Sequence, residues 1–187
     1  MDFYLDPVRH TGRPQDARRE PEELACYDLL DDLSLTYDRV DHDPAYHIET
    51  CHQVEAVLGA PIAKNLFLCN RQQTQFYLLL LDGDKVFKTK HLSRQLGCSR
   101  LSFAPEDRLP ELLGAMPGSA SLLGLMHDKN HLVQLVLDRP VLEHPWLGLH
   151  PCRNTATLRL ATRDVLERLI PALGHEPVVV DLPEDAE

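Results

Sequence analysis

At 187 residues, with ordinary apolar content and a net charge of −10, the chain is long enough for one domain with a real hydrophobic core, and it is neither disordered nor fibrous. No apolar run approaches membrane-spanning length, the longest covering residues 76–81, and the first residues lack the basic-then-apolar order of a secretory signal. Five cysteines (Cys26, Cys51, Cys69, Cys98, Cys152) are odd in number, scattered and never spaced as CxxC, which argues against a disulfide framework and for a reducing cytoplasm.

Along the chain, residues 1–20 are polar and read as a loose lead-in. Apolar residues at helical period predict a helix over 22–33, with Pro21 at its start. A strand over 35–40 ends at the Asp41-His42-Asp43-Pro44 turn, and Thr50 is placed to cap a helix that Gly59 stops. Strands over 65–70 and 75–81 form a hairpin, and Asp82-Gly83-Asp84 turns the chain toward a short helix capped by Thr89 and closed by Gly97. A short strand is expected over 100–103 and a helix from Pro105 to Gly114. Strands over 122–126, 132–137 and 155–161 follow, then a helix over 163–173 capped by Thr162, and a last strand over 178–180. Helices and hairpins interleave without regular β-α-β alternation. The expected fold class is therefore α/β of the α+β type: one domain over 21–180, with a mixed, largely antiparallel sheet surrounded by helices and an acidic tail at 181–187.

Ten histidines invite a metal reading, with His42, His47, Cys51 and His52 the tightest group. His42 and His47 flank a turn, and no second ligand pair follows at zinc spacing, so no metal and no cofactor is expected. Charge is unevenly spread: residues 60–108 hold eight basic residues against four acidic ones. A local basic face on an acidic body suits the end of an RNA rather than a DNA duplex or a membrane.

Three segments carry chemistry. Lys64-Asn65-Leu66-Phe67-Leu68 sets a lysine and an asparagine at the mouth of an apolar strand, where an ammonium can meet an anion. Pro117-Gly118-Ser119-Ala120-Ser121-Leu122-Leu123-Gly124-Leu125 offers glycine backbone N–H groups that a ligand can approach closely. His150-Pro151-Cys152-Arg153-Asn154-Thr155-Ala156-Thr157 adds an imidazole and an amide. In this order and at these separations, over roughly residues 22–172, the three resemble the YbaK/ProX superfamily of aminoacyl-tRNA editing domains, and within it the freestanding prolyl-tRNA editing proteins. Leu122 departs from the pattern, standing where the family's Gly-x-x-x-Pro loop has proline.

The resemblance implies a trans-editing hydrolase that removes alanine from alanyl-tRNA(Pro), aided by the substrate's own 2′-hydroxyl. Its partners would be the tRNA(Pro) acceptor end and prolyl-tRNA synthetase. Lys64, Asn65, Gly118, Ser119, Gly124, His150 and Asn154 are the catalytic candidates it implies. Lys64 can bind the terminal phosphate or polarise the ester carbonyl, and Asn65 or Asn154 can orient a water or a ribose hydroxyl. Backbone N–H groups of the glycine loop can serve the oxyanion, and His150 can shuttle a proton near neutral pH. Substrate-binding candidates are Leu66, Phe67 and Leu123 as an apolar sieve, with Thr155, Thr157, Lys88 and Arg100. Three alternatives stay open: deacylation of cysteinyl-, seryl- or threonyl-tRNA, a catalytically quiet tRNA- or synthetase-binding module, and a Cys152–His150 hydrolase.

Overall fold

The structure, a computed structural model, describes residues 3–16 and 18–184. Two sheets make its frame instead of the single sheet expected. Strands β1 (His10–Thr11), β2 (Asp38–Asp41), β7 (Trp146–Leu149) and β8 (Ala156–Ala161) form a four-stranded antiparallel sheet in the order β1-β2-β8-β7. Strands β3 (Lys64–Cys69), β4 (Phe76–Leu81), β5 (Ser102–Phe103), β6 (Val133–Asp138) and β9 (Val178–Val180) form a second, in the order β5-β3-β4-β6-β9. In it β3 pairs antiparallel with β4 and β5, while β4–β6 and β6–β9 are parallel.

Every residue of β4 is buried, which explains its unbroken apolar run. Phe76, Leu78 and Leu80 face the large core between the sheets. Tyr77, Leu79 and Leu81 face a second core closed by helix α3 (Thr89–Leu96) and the tail residue Leu182. The same alternation along β3 sends Phe67 and Cys69 to the inter-sheet core and Leu66 and Leu68 to the other layer. Helices α1 (Pro21–Asp32) and α4 (Arg108–Leu113) cap the inter-sheet core, and α2 (Ile48–Leu58) lies beside β2 and β8. A short helix α5 (Arg139–Glu143) follows β6, and residues 162–172 form a C-terminal helix with a π-helical middle at Val165–Leu169.

Several expectations are corrected. Residues Leu122–His127 form a 3₁₀ helix, not a strand: Ser121 accepts the N–H of Leu123 at 3.2 Å, and Leu122, Leu123 and Leu125 are all buried. A run with apolar residues on every side carries no periodicity to tell the two apart. Thr50 is not the cap of α2; His47 takes that place, and the Thr50 hydroxyl donates to the His47 carbonyl at 2.7 Å. Thr89 and Thr162 are likewise first residues of their helices rather than caps. Helix α4 starts at Arg108, after a turn at Pro105. The lead-in is docked: β1 lies on β2, Leu5 bridges His42, and Arg9 donates to the Leu58 carbonyl at 2.8 Å.

Among the described residues, a bridge joins the two sheets just ahead of β3. Ile62, two residues before β3 begins, forms a parallel bridge with Gly148 of β7, and the Gly148 N–H donates to the Pro61 carbonyl at 2.8 Å. A Cβ on Gly148 would stand 3.0 Å from both Pro61 O and the Ile62 side chain, a tight fit that any larger residue would have to relieve by shifting the seam. Two residues beyond this seam, in the same direction on each chain, come Lys64 and His150.

Candidate active site

At the seam lies a cleft of about 490 Å³. Its floor is the start of β3, from Ile62 to Phe67; one wall is the segment Tyr46 to Glu55, and the other is Pro117, Gly118 and Ala120 with Phe103 and Ala104. Four sequence-predicted catalytic residues meet there, Lys64, Asn65, Gly118 and His150, joined by Leu66 and Phe67.

Lys64 is partly buried, and its Nζ donates to the Lys85 carbonyl at 3.0 Å, leaving donor capacity toward the cleft. Asn65 donates from Nδ2 to the Ala63 carbonyl at 3.0 Å, which fixes the amide's orientation. Its Oδ1 is then buried with no partner among the described residues, an acceptor that a ligand would satisfy. Gly118 has φ +83°, and a Cβ there would sit 2.7 Å from the Tyr46 ring, so glycine is required both by its dihedral and by the ring across from it.

His150 donates from Nδ1 to the Ala156 carbonyl at 3.0 Å; a carbonyl only accepts, so Nδ1 carries the proton and Nε2 is left as an acceptor. Burial pushes its pKa down to about 4, partly offset by that carbonyl, with His42 lowering it further. The imidazole is therefore neutral near pH 7, with Nε2 open as an acceptor. Behind it, Thr157 is fully buried and its Oγ1 lies 2.8 Å from His42 Nε2, while His42 Nδ1 donates to the Asp43 carbonyl at 2.7 Å.

The remaining candidates stand outside the cleft. Asn154 spends its amide on one residue, Oδ1 accepting from Ala45 N–H at 3.2 Å and Nδ2 donating to Ala45 O at 3.1 Å. Ser119 is buried; its hydroxyl accepts from Met116 N–H at 2.9 Å and reaches the carbonyls of Met116 at 2.8 Å and Cys152 at 3.0 Å. Both residues fasten the walls rather than face into the cleft. The Gly124 N–H is taken by the Ser121 carbonyl at 2.9 Å, and a Cβ on Gly124 would collide with the Leu113 carbonyl: it is a packing glycine in the core. Leu123 is fully buried there too. Thr155 faces a separate, open depression beside Arg19 and Arg153, and Lys88 and Arg100 lie beyond the cleft lining. Leu122, in the place of the family's proline, is fully buried in the inter-sheet core, and its packing and the Ser121 hydroxyl hold the loop.

Sequence reasoning missed the wall facing β3. Tyr46 and Ile48 line the cleft, and so does Phe103 from the short edge strand β5; all three are more than half exposed. Exposed aromatics beside a turn were the one available signal. Across the mouth, His52 Nε2 lies 3.0 Å from Asp84 Oδ1. The four groups once weighed as metal ligands are spread over different neighbours, and among the described residues no cluster of three or more His, Cys, Asp or Glu could hold a metal ion. Among the same residues no helix is long and apolar enough to cross a membrane.

The two-sheet frame with this cleft at its seam defines a family. Residues 42–167 match the profile of the aminoacyl-tRNA editing domain, and the chain belongs to that family, in its YbaK/ProX branch. It is 34% identical over 153 residues to the prolyl-tRNA editing protein ProX of Acetoanaerobium sticklandii, covering 82% of this chain and 93% of that protein. It is 31% identical over 153 residues to the mouse (Mus musculus) prolyl-tRNA synthetase associated domain-containing protein 1, covering 80% and 89%. A crystal structure proposed to be a trans-editing enzyme for prolyl tRNA synthetase shares the fold at TM-score 0.65 and 20% identity, over 89% of this chain and 99% of that one.

Proposed function

We propose that the protein is a trans-editing hydrolase that deacylates mischarged tRNA, with alanyl-tRNA(Pro) as its substrate. The observation that carries this reading is the convergence of Lys64, Asn65, Gly118 and His150 on one cleft at the seam of the sheets.

Each group has a role suited to its surroundings. The Lys64 ammonium meets the anionic end of the substrate, either the terminal phosphate or the carbonyl oxygen as it gains charge. The Gly118 N–H stabilises the tetrahedral oxyanion. The unpaired Asn65 Oδ1 and the His150 Nε2 are two acceptors, fit for the ribose 2′-hydroxyl and the attacking water. With a pKa of about 4, His150 is a weak base, which agrees with a mechanism in which the substrate's hydroxyl does much of the work. Tyr46 and Phe103, both exposed in the lining of the cleft, offer aromatic faces to the unpaired bases of an acceptor end. Ala63, Phe67, Ala104, Leu109 and Ala120 make an apolar recess for a small side chain. A second sieve of this kind is useful because one methylene in a synthetase pocket gives only about 1–3 kcal/mol of discrimination.

The Cys152–His150 hydrolase is disfavoured by position. Cys152 has φ +59°, which breaks the extended run that would align the two side chains, and its Sγ is buried 3.6 Å from Cys26 Sγ. The deciding experiment incubates the protein with labelled alanyl-, prolyl-, cysteinyl-, seryl- and threonyl-tRNA. Accelerated release of alanine with prolyl-tRNA(Pro) spared is expected; equal release of proline, or no release of alanine, refutes the reading. Binding of tRNA without turnover would instead favour the quiet module.

A further inference from the structure

We propose that Lys85 is the positioning residue for Lys64, and that a buried latch between Lys85, Asp138 and the tail residue Leu182 sets where the Lys64 charge sits. The proposal rests on the reading that Lys64 acts on the substrate.

A lysine ammonium rides on four flexible carbons, so its location is set by its hydrogen-bond acceptors. For Lys64 the acceptor is the Lys85 carbonyl. That carbonyl belongs to the turn after β4, outside any strand, where the Lys85 N–H returns to the Asp82 carbonyl at 3.1 Å. Gly83 and Asp84 of the same turn line the cleft. The turn's other bonds are exposed ones, Asp84 N–H to Asp82 Oδ1 at 3.2 Å and His52 Nε2 to Asp84 Oδ1 at 3.0 Å, and neither involves the Lys85 carbonyl.

The anchor is the Lys85 side chain, which points inward and is only 8% exposed. Its Nζ lies 2.6 Å from Asp138 Oδ2, at the end of β6, and donates to the Leu182 carbonyl at 2.8 Å. The other carboxylate oxygen, Asp138 Oδ1, accepts the Leu182 N–H at 2.9 Å. Asp138 is completely buried. Three segments distant in sequence thus close on one ammonium, and the backbone of that residue holds the next. Buried ion pairs are poor sources of stability, since apolar replacements of both partners are often neutral or better. What such a pair offers is direction: it fixes the turn, and the turn fixes Lys64.

The test uses the full chain with both charges removed, Lys85→Met with Asp138→Leu, so that no unpaired charge is left inside. Trace acetylation read by mass spectrometry reports the reactivity of the Lys64 amine without reference to any substrate. We expect Lys64 labelling to rise at least about threefold in the double variant; its melting temperature should fall as well, because the Leu182 N–H and C=O lose their partners, so labelling is read at a temperature where both proteins are fully folded. Single-turnover deacylation of alanyl-tRNA(Pro) should fall about tenfold, and in a Lys64→Ala background the same pair of substitutions should cause no further loss. Unchanged Lys64 labelling, or equal losses of rate in both backgrounds, overturns the proposal. A rise in labelling in a protein whose wild type deacylates nothing leaves the latch standing and removes the editing reading.

Discussion

Replacing Asn154 with alanine separates a fastening role from a direct one. In the structure its amide makes both available backbone bonds of Ala45, and both residues are buried, each 7% exposed. Truncation leaves the buried Ala45 N–H unpaired and its C=O with only the weak Cys51 thiol contact at 3.9 Å, at about 1–3 kcal/mol for each bond lost. Allowing for water entering the space vacated, the sum is about 3 kcal/mol, which for a chain of this size lowers Tm by roughly 6–12 °C. The loop so released carries Tyr46 and His47, which line the cleft, so kcat/KM for alanyl-tRNA(Pro) should fall with the stability. Asn154→Asp should be no better, because it keeps the acceptor for Ala45 N–H but sets a second oxygen against Ala45 O. Thermal unfolding and single-turnover deacylation, run on the same samples, check this. An unchanged Tm with a collapsed rate would mean that Asn154 touches the substrate and that the clamp is unimportant.

Gly118→Ala places a Cβ at φ +83° and against the Tyr46 ring; a strain of about 1–2 kcal/mol and a displaced wall should lower kcat/KM more than tenfold, and wild-type kinetics would refute the assignment. Gly124→Ala should destabilise by about 1–3 kcal/mol through overpacking against Leu113, yet leave the rate per folded molecule intact, as urea melts with active-site titration can show. His150 is held neutral down to a pKa of about 4 against 6.5 when unfolded, so the folded chain binds fewer protons between those values. Its contribution, about 3 kcal/mol, is complete above pH 6.5 and is lost as pH falls toward 4; burial of His42 acts in the same direction. Urea midpoints at pH 7, 5.5 and 4.5 should show this slope in the wild type and a shallower one in His150→Asn. Removing the lip aromatics, Tyr46→Ala and Phe103→Ala, should raise KM for tRNA substrates with little change in kcat, each by about 1–3 kcal/mol of lost stacking, measured by initial rates.

Much of the frame was readable because its signals are local. The β4 run and the helix ends at Gly59, Gly97 and Gly114 need only neighbouring residues to declare themselves. Strand β7 did not, for its four residues include Gly148, which serves a contact with Ile62 more than eighty residues away. The site divides in the same way. Motif reasoning found Lys64, Asn65, Gly118 and His150, which touch the cleft. It could not distinguish them from Ser119, Asn154 and Thr157, whose side chains hold Met116, Cys152, Ala45 and His42 from behind. A pattern of residue types records that a position matters, not whether its side chain faces the ligand or the scaffold. Tyr46 and Phe103 were missed because nothing in the sequence brings the loop between β2 and α2 and a short edge strand to the lining of one opening.

The bridge between Ile62 and Gly148 has a consequence for how selectivity can drift. The floor of the cleft belongs to one sheet and His150 follows directly on a strand of the other, so the base of the cleft is tied to the spacing of the two sheets, while its walls come from residues 46–55 and 117–120. Close-packed layers do not yield gradually, and a bulky substitution on either side meets the whole inter-sheet core before it widens the gap. Altering what enters therefore falls to the side chains on the lips and in the recess, which can change one at a time while the gauge beneath them stays the same.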